Sequence, residues 1–230
     1  MSADTQAYPP DAGAQPFLLT VRGTIAAPAV TDVREIHNST AGAPESVAAA
    51  RSLGDLSHNV YASLGSSREV LFIDVWNSLS GLGQFFGNPQ VQHAAGMLFA
   101  EREATVWSVA DGFGNVHLAT PSGKRVTGVG ILRTRVTSLE KAAVACSAYA
   151  GATINLARAS GLVTHSTWIR VPDPGAEVTP EIISIDTWLD VDAMTAYYEG
   201  SHGFEQLGTA FAGTPDTTVW SAAPGDWTEW

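Results

Sequence analysis

The chain has 230 residues, 45% of them hydrophobic and only 15% charged, against about 25% charged in an ordinary globular domain, and this excludes a disordered protein. Twelve Lys and Arg against 23 Asp and Glu leave a formal charge of −11, so no basic stripe can neutralise phosphates, which argues against nucleic acid or a membrane surface as partner. A single cysteine, Cys146, excludes an internal disulfide and a cysteine-built zinc site, and its setting KAAVACSAYA reads as a small buried helix residue.

Residues 1–16 lack the basic and apolar regions of a signal peptide and read as a disordered leader. No apolar run approaches the ~18 residues that span a bilayer, so a cytoplasmic protein is expected. A β-rich stretch at 17–25 is followed by a helix from about Thr31, where Asp32 and Glu35 have capping-box spacing. Gly42 and Pro44 interrupt the helix; it resumes to Ser52, and Gly54 ends it. Strands at 56–64 and 68–76 flank the hairpin loop Gly65-Ser66-Ser67. A helical stretch at 80–100, broken at Asn88-Pro89, leads to a strand at 104–110, and 112–124 reads as a linker. The second part has a strand at 125–135, then a helix opened by a Thr137–Glu140 capping box. A hairpin pairs 162–170 with 181–188; helices at 191–200 and 202–211 and a strand at 217–221 complete it.

The chain repeats itself. Ile73-Asp74-Val75-Trp76 matches Ile185-Asp186-Thr187-Trp188, and the same offset carries Phe85-Phe86 onto Tyr197-Tyr198 and Phe99-Ala100 onto Phe211-Ala212. Upstream, Ala50-Arg51, Gly54 and His58 match Ala157-Arg158, Gly161 and His165, the small change of offset falling in the loop 171–181, where insertion is cheap. The expected organisation is a leader 1–16, a first half 17–111, a linker 112–124 and a second half 125–230. Each half reads β-α-β-β-α-β, an α+β ferredoxin-like unit whose second sheet face needs covering.

The repeated order, the strand-3 Trp, the FF-x-N-P turn (Phe85 to Pro89) and the terminal Val-Trp pairs (Val106-Trp107, Val219-Trp220) resemble the dimeric α/β-barrel superfamily, closest to its antibiotic-biosynthesis-monooxygenase-like group. The resemblance implies tandem ferredoxin-like repeats forming an intramolecular dimeric α/β barrel, a pseudo-dimer able to pair further as a homodimer. It covers about residues 17–225. It also implies a set of candidate functions: cofactor-free quinol and anthrone oxygenases, haem enzymes, isomerases, and stress-response barrels.

The hairpin supplies the candidate chemistry. A three-residue loop centred on Ser66 makes opposed positions sum to about 132, which sets His58 against Asp74 with Cβ atoms about 4.5–5.5 Å apart. The second half keeps the pair as His165 and Asp186. A carboxylate beside an imidazole fixes its tautomer and prepares a general base, and the same pair can simply fix hairpin register. The halves differ elsewhere: His37 and Asn38 stand against Val144 and Ala145, Asn59 and Tyr61 against Ser166 and Trp168, and His93 against Glu205. Half one is therefore the expected active half, with His58, Asp74, His37 and Asn38 catalytic and Tyr61, Trp76, Asn59 and His93 around the substrate. His165, Asp186 and Trp188 are the second-half equivalents.

The resemblance implies no bound cofactor and no metal, with haem as the alternative through His93, and a hydrophobic aromatic or enolic small molecule as substrate. The expected reaction is oxygenase-type, His58 removing a proton. A non-catalytic binding barrel, an isomerase or a cyclase on the same fold are the alternatives. No dinucleotide loop, G-x-S-x-G elbow, H-E-x-x-H or P-loop is present. His202 reads as a cap-region residue and His117 as a solvated one.

Overall fold

The computed structural model describes residues 15–118, 120, 123–172, 175, 179–200, 207–208 and 210–230. Most of the leader, His202, Glu205 and most of the helix expected at 202–211 lie outside the described residues. The chain divides into two units, one reaching Ser108 and including Ala223–Trp230, the other Val109–Ala222.

In the first unit the elements are β1 (Phe17–Ile25), α1 (Val30–Ser39), α2 (Pro44–Ser52), β2 (Asp55–Ser63), β3 (Glu69–Trp76), α3 (Leu79–Phe86), α4 (Pro89–Leu98) and β4 (Phe99–Val109). The strands lie in the order β4-β1-β3-β2, all neighbours antiparallel. Alternation puts Leu19, Val21, Val60, Val70, Phe72 and Trp76 in one core with Val30 and Val33 of α1, Leu82 of α3 and Leu98 of α4. On α1 the buried residues are Val30, Val33 and His37, an i, i+3, i+7 stripe that carries an imidazole into the core.

The helix breaks fall where proline dictates. Pro44 opens α2 and Pro89 opens α4, where the missing N–H costs nothing. Asn88 caps α4 by accepting from the Gln90 N–H at 2.8 Å. Asp32 is not the cap residue that the sequence spacing suggested: Ala29 takes that place, and Asp32, one turn in, accepts from the Ala29 N–H at 3.1 Å. Gly54 ends α2 with φ +104, in the left-handed region that glycine tolerates.

In the second unit the elements are β5 (Val116–His117), β6 (Gly128–Arg135), α5 (Leu139–Ala159), β7 (Leu162–Arg170), β8 (Glu181–Trp188), α6 (Val191–Glu199) and β9 (Asp216–Ala222). Its strands lie in the order β9-β6-β8-β7-β5, so the sequence of pairings in the first unit recurs. Ser138, rather than Thr137, caps α5, accepting from the Lys141 N–H at 3.4 Å.

Two boundaries differ from the sequence expectation. The segment expected to be a linker joins the second unit: Val116 and His117 pair with His165 and Thr164, Phe113 is buried, and Asn115 accepts from the Thr167 N–H at 2.8 Å. His117 itself is exposed, as expected. The last eight residues leave the second unit for the first. Ala223 N–H donates to the Val60 carbonyl at 3.1 Å, and Trp230 and His58 exchange both backbone hydrogen bonds, at 2.7 and 3.1 Å. A strand edge offers unpaired N–H and C=O groups, and β2 satisfies its own with this returning segment. Among the described residues no helix is long and apolar enough to cross a membrane.

Candidate active site

The β2–β3 register is the one the loop length dictates, His58 opposite Asp74. His58 Nδ1–H donates to Asp74 Oδ1 at 2.6 Å, with the two residues only 6% and 4% exposed. From α1, His37 reaches the same spot. It is 0% exposed, its Nε2 lies 3.0 Å from His58 Nε2, and the two ring planes are within 7° of parallel.

Donor and acceptor complementarity fixes the protons. Asn38 Nδ2 donates to the Asp226 carbonyl at 2.7 Å, and its Oδ1 accepts from the Thr228 N–H at 2.9 Å, which sets the orientation of the amide. That oxygen also lies 3.0 Å from His37 Nδ1, so this nitrogen carries the hydrogen. His37 Nε2 then presents a lone pair, and the proton on the short contact to His58 belongs to His58. His58 Nε2 thus donates to a neutral His37, while its Nδ1 shares a short hydrogen bond with Asp74. The neutrality of His37 agrees with its environment: burial, and then the His58 charge, push its pKa down to about 4 against the Asn38 hydrogen bond. The buried trio carries no net charge, which is what burial at this depth requires.

A second carboxyl, which the sequence reading did not single out, adjoins this trio. Asp55 opens β2 opposite Trp76, is 5% exposed, and has a buried Oδ1 with no hydrogen-bond partner. Burial first, and then the neighbouring Asp74, push its pKa up to about 8; a backbone hydrogen bond from Ser57, a loose hydrogen bond from the Trp230 indole and the Arg51 charge oppose the rise. At neutral pH Asp55 is mainly the protonated acid. The Trp230 indole N–H faces it short of good hydrogen-bond geometry and is itself buried with no other partner.

The returning C-terminal segment roofs the site. Trp230 stacks on His58 with ring centroids 4.6 Å apart and planes 22° apart, and Trp227 leans on His37 at 5.0 Å. Phe72 backs both imidazoles at 5.3–5.4 Å. Neither indole was expected at this site. Asn38 is at the site as expected, bound to this segment.

The other expected residues stand apart. Asn59 and Tyr61 alternate with His58 and Val60 along β2, so their side chains leave from the opposite sheet face. Trp76 shares the His58 face, packs against Phe85 and Phe86 at 5.7 and 6.1 Å, and has a buried, unpartnered indole N–H. His93 is exposed on α4. Burial pushes the Cys146 thiol up to about 11, leaving it inert.

The second unit keeps the dyad in altered surroundings. His165 Nδ1–H donates to Asp186 Oδ1 at 2.6 Å, while Asp186 Oδ2 accepts from the Tyr198 hydroxyl at 2.6 Å. Burial pulls the His165 pKa down, but the hydrogen bond and charge of Asp186 outweigh it and hold it above its ordinary value. Tyr198, where the first unit has Phe86, is pushed well above 10 by burial of its hydroxyl and by Asp186. Among the described residues no imidazole plays the part of His37: Val144, its counterpart in the sequence alignment of the halves, is 69% exposed. Replacing Tyr198 by Phe should cost about 1.5–3 kcal/mol, the range for a hydrogen bond to a charged group. It should also raise the His165 pKa further, because Asp186 then has only His165 to lean on; urea unfolding and an NMR titration of His165 check both.

Among the described residues no three His, Cys, Asp or Glu side chains are disposed to hold a metal ion. The described residues do not fit a haem iron at this site either. His93 is exposed, and both ring nitrogens of His37 and of His58 are already engaged.

No protein-family model and no curated protein matches the sequence. Solved structures do. An anthrone oxidase-like protein superposes with a TM-score of 0.63 at 15% identity, over 92% of each chain. A candidate monooxygenase of Lactobacillus acidophilus gives 0.58 at 12% identity, over 92% of this chain and 97% of the other. A haem-binding protein of Thermus thermophilus gives 0.52 at 13% identity, over 91% of each. At such identities the likeness concerns the fold, which is α+β and of the dimeric α/β-barrel type.

Proposed function

We propose that the chain is a cofactor-independent, oxygenase-type enzyme acting on a hydrophobic phenolic or enolic small molecule, with His58 as its base. Two tandem ferredoxin-like units in one chain would do what two subunits do in a homodimer of this fold. The recurrence of one strand order in both units supports that reading. The observation that carries the function is the buried Asp74–His58–His37 relay in the first unit, which has no counterpart among the described residues of the second.

A substrate hydroxyl that takes the place of His37 on His58 Nε2 meets an imidazole already oriented by Asp74, once the shared proton has left. It gives His58 its proton, and Asp74 stabilises the imidazolium that forms. The substrate anion passes electrons to dioxygen and forms a carbon–oxygen bond. Protonation of the resulting peroxide, with Asp55 as the neutral acid at hand, and loss of water leave a carbonyl where a CH2 group stood. One dioxygen is consumed and one water released per substrate. Likeness to an anthrone oxidase-like fold and to a candidate monooxygenase supports a substrate of the anthrone or quinol kind.

Aerobic incubation with an anthrone tests this. The expected result is uptake of one dioxygen per carbonyl formed, dependent on His58; a rate equal to autoxidation in buffer overturns it. The retained His165–Asp186 pair favours a second reading, in which both dyads fix hairpin register in a non-catalytic binding barrel. Uptake that His58→Ala leaves unchanged decides for that reading.

A further inference from the structure

We infer that residues 223–230 form a displaceable cover over a site for a planar aromatic ligand bearing a hydroxyl or carbonyl, with Trp230 occupying the ligand's place on His58; this rests on the reading of the first unit as the functional half. Trp230 lies on the His58 ring as an aromatic ligand would, 4.6 Å between centroids and nearly parallel. Its fit is incomplete in a telling way. The indole N–H and Asp55 Oδ1 face each other, their contact falls short of good hydrogen-bond geometry, and neither has another partner. Buried polar groups are almost always well satisfied, so a loose donor–carboxyl contact at this depth marks a place that a better-matched ring would fill more completely than the indole. A ring carrying a hydroxyl can donate to or accept from Asp55 there, which the indole does not achieve.

The cover also sets the protons beneath it. Asn38 is clamped by Asp226 and Thr228, and in that orientation it forces the hydrogen of His37 onto Nδ1 and leaves His58 Nε2 the donor of the shared hydrogen bond. When the segment lifts, the Asn38 amide is free to turn its NH2 toward His37 Nδ1. The Nδ1 proton then passes to the water admitted by the open cover, the shared proton moves from His58 to His37 Nε2, and His58 Nε2 is left with the lone pair the proposed reaction requires. Access to the site and readiness of the base are opened by the same movement.

Two measurements with 2-naphthol, against naphthalene as the ring without a hydroxyl, test the inference on the full chain. By calorimetry, Trp230→Ala should bind 2-naphthol at least tenfold more tightly than the wild type does, and at least tenfold more tightly than it binds naphthalene. Asp55→Leu in the same background should erase the preference. Equal affinity of wild type and Trp230→Ala, or no preference for the hydroxyl, overturns the proposal. Should Trp230→Ala fail to fold, hydrogen exchange on the wild-type chain decides. Saturating 2-naphthol should speed exchange at Thr228, Trp230 and His58 at least tenfold and leave β3 unchanged; unchanged or slower exchange in the segment overturns it. Neither readout involves oxygen, so naphthol binding without anthrone oxidation defeats the proposed reaction alone, and oxidation with an undisturbed segment defeats the cover alone.

Discussion

His58→Ala should lower conformational stability by about 3–5 kcal/mol, the cost of leaving one member of a buried ion pair behind, whereas His165→Ala should cost about 1–3 kcal/mol, nearer the cost of a lost hydrogen bond. The two substitutions remove the same side chain from the same hairpin position, so the difference lies in what surrounds each. Without His58, Asp74 sits 4% exposed with no cation, and the lone pair of His37 Nε2 loses its donor. Without His165, Asp186 keeps the Tyr198 hydroxyl on its other oxygen, and its side chain is 22% exposed, so water can reach it. Urea unfolding of the two variants side by side measures the gap. Turnover adds a second axis: removal of a general base should cost His58→Ala about 10²–10⁴-fold and His165→Ala much less. Equal losses of stability with no difference in turnover would leave the dyad a register device in both units.

What could be read from the sequence follows from how local each determinant is. The His58–Asp74 pairing was legible because a strand has a strict period of two and a three-residue loop leaves one register. The proline-broken helices were legible for the same kind of reason. Parity along the regular part of β2, beyond the bulge between Asp55 and Ser57, also carries the answer for Asn59 and Tyr61: one and three positions from His58, they cannot share its face, so placing them beside it ran against the strand period. His37 had a local signal as well, the stripe with Val30 and Val33. Asp55 had none. A carboxyl after a helix-ending glycine looks like an ordinary solvated turn residue, and its burial comes from tertiary surroundings that include the returning Trp230. The C-terminal segment is the least local element. Thr228 and Asn38 meet across 190 positions, and neither periodicity nor an internal alignment says that the end of one repeat completes the other. That is also why the compact units, Val109–Ala222 and the remainder, end elsewhere than at the 111/125 bounds expected from the sequence.

The burial of Asp55 has a consequence for the whole fold, an unusual decline in stability as pH rises from 6.5 to 8. A carboxyl with pKa near 8 in the native state and near 4 when unfolded holds a proton that the unfolded chain has already released. The native state binds more protons across that interval, so stability falls with rising pH until Asp55 ionises near pH 8. His37 works the other way. Its native pKa is about 4 against an unfolded value near 6.5, so its contribution is complete above pH 6.5 and lost as pH falls toward 4. From pH 4 to 6.5 the two slopes oppose each other and stability stays level. Above 6.5 only the Asp55 slope remains, and the raised pKa of His165 reinforces it. At up to about 1.4 kcal/mol per pH unit, the loss between pH 6.5 and 8 is about 2 kcal/mol. Asp55→Asn should flatten the decline and make the variant the more stable protein at pH 8, which thermal unfolding in matched buffers reads directly. A wild type that gains stability through this window, or a variant that keeps the slope, shows that Asp55 enters the fold already ionised. The same burial that costs stability above pH 6.5 leaves a neutral acid near His58 at neutral pH, and a neutral acid there is what the proposed protonation of a bound peroxide requires.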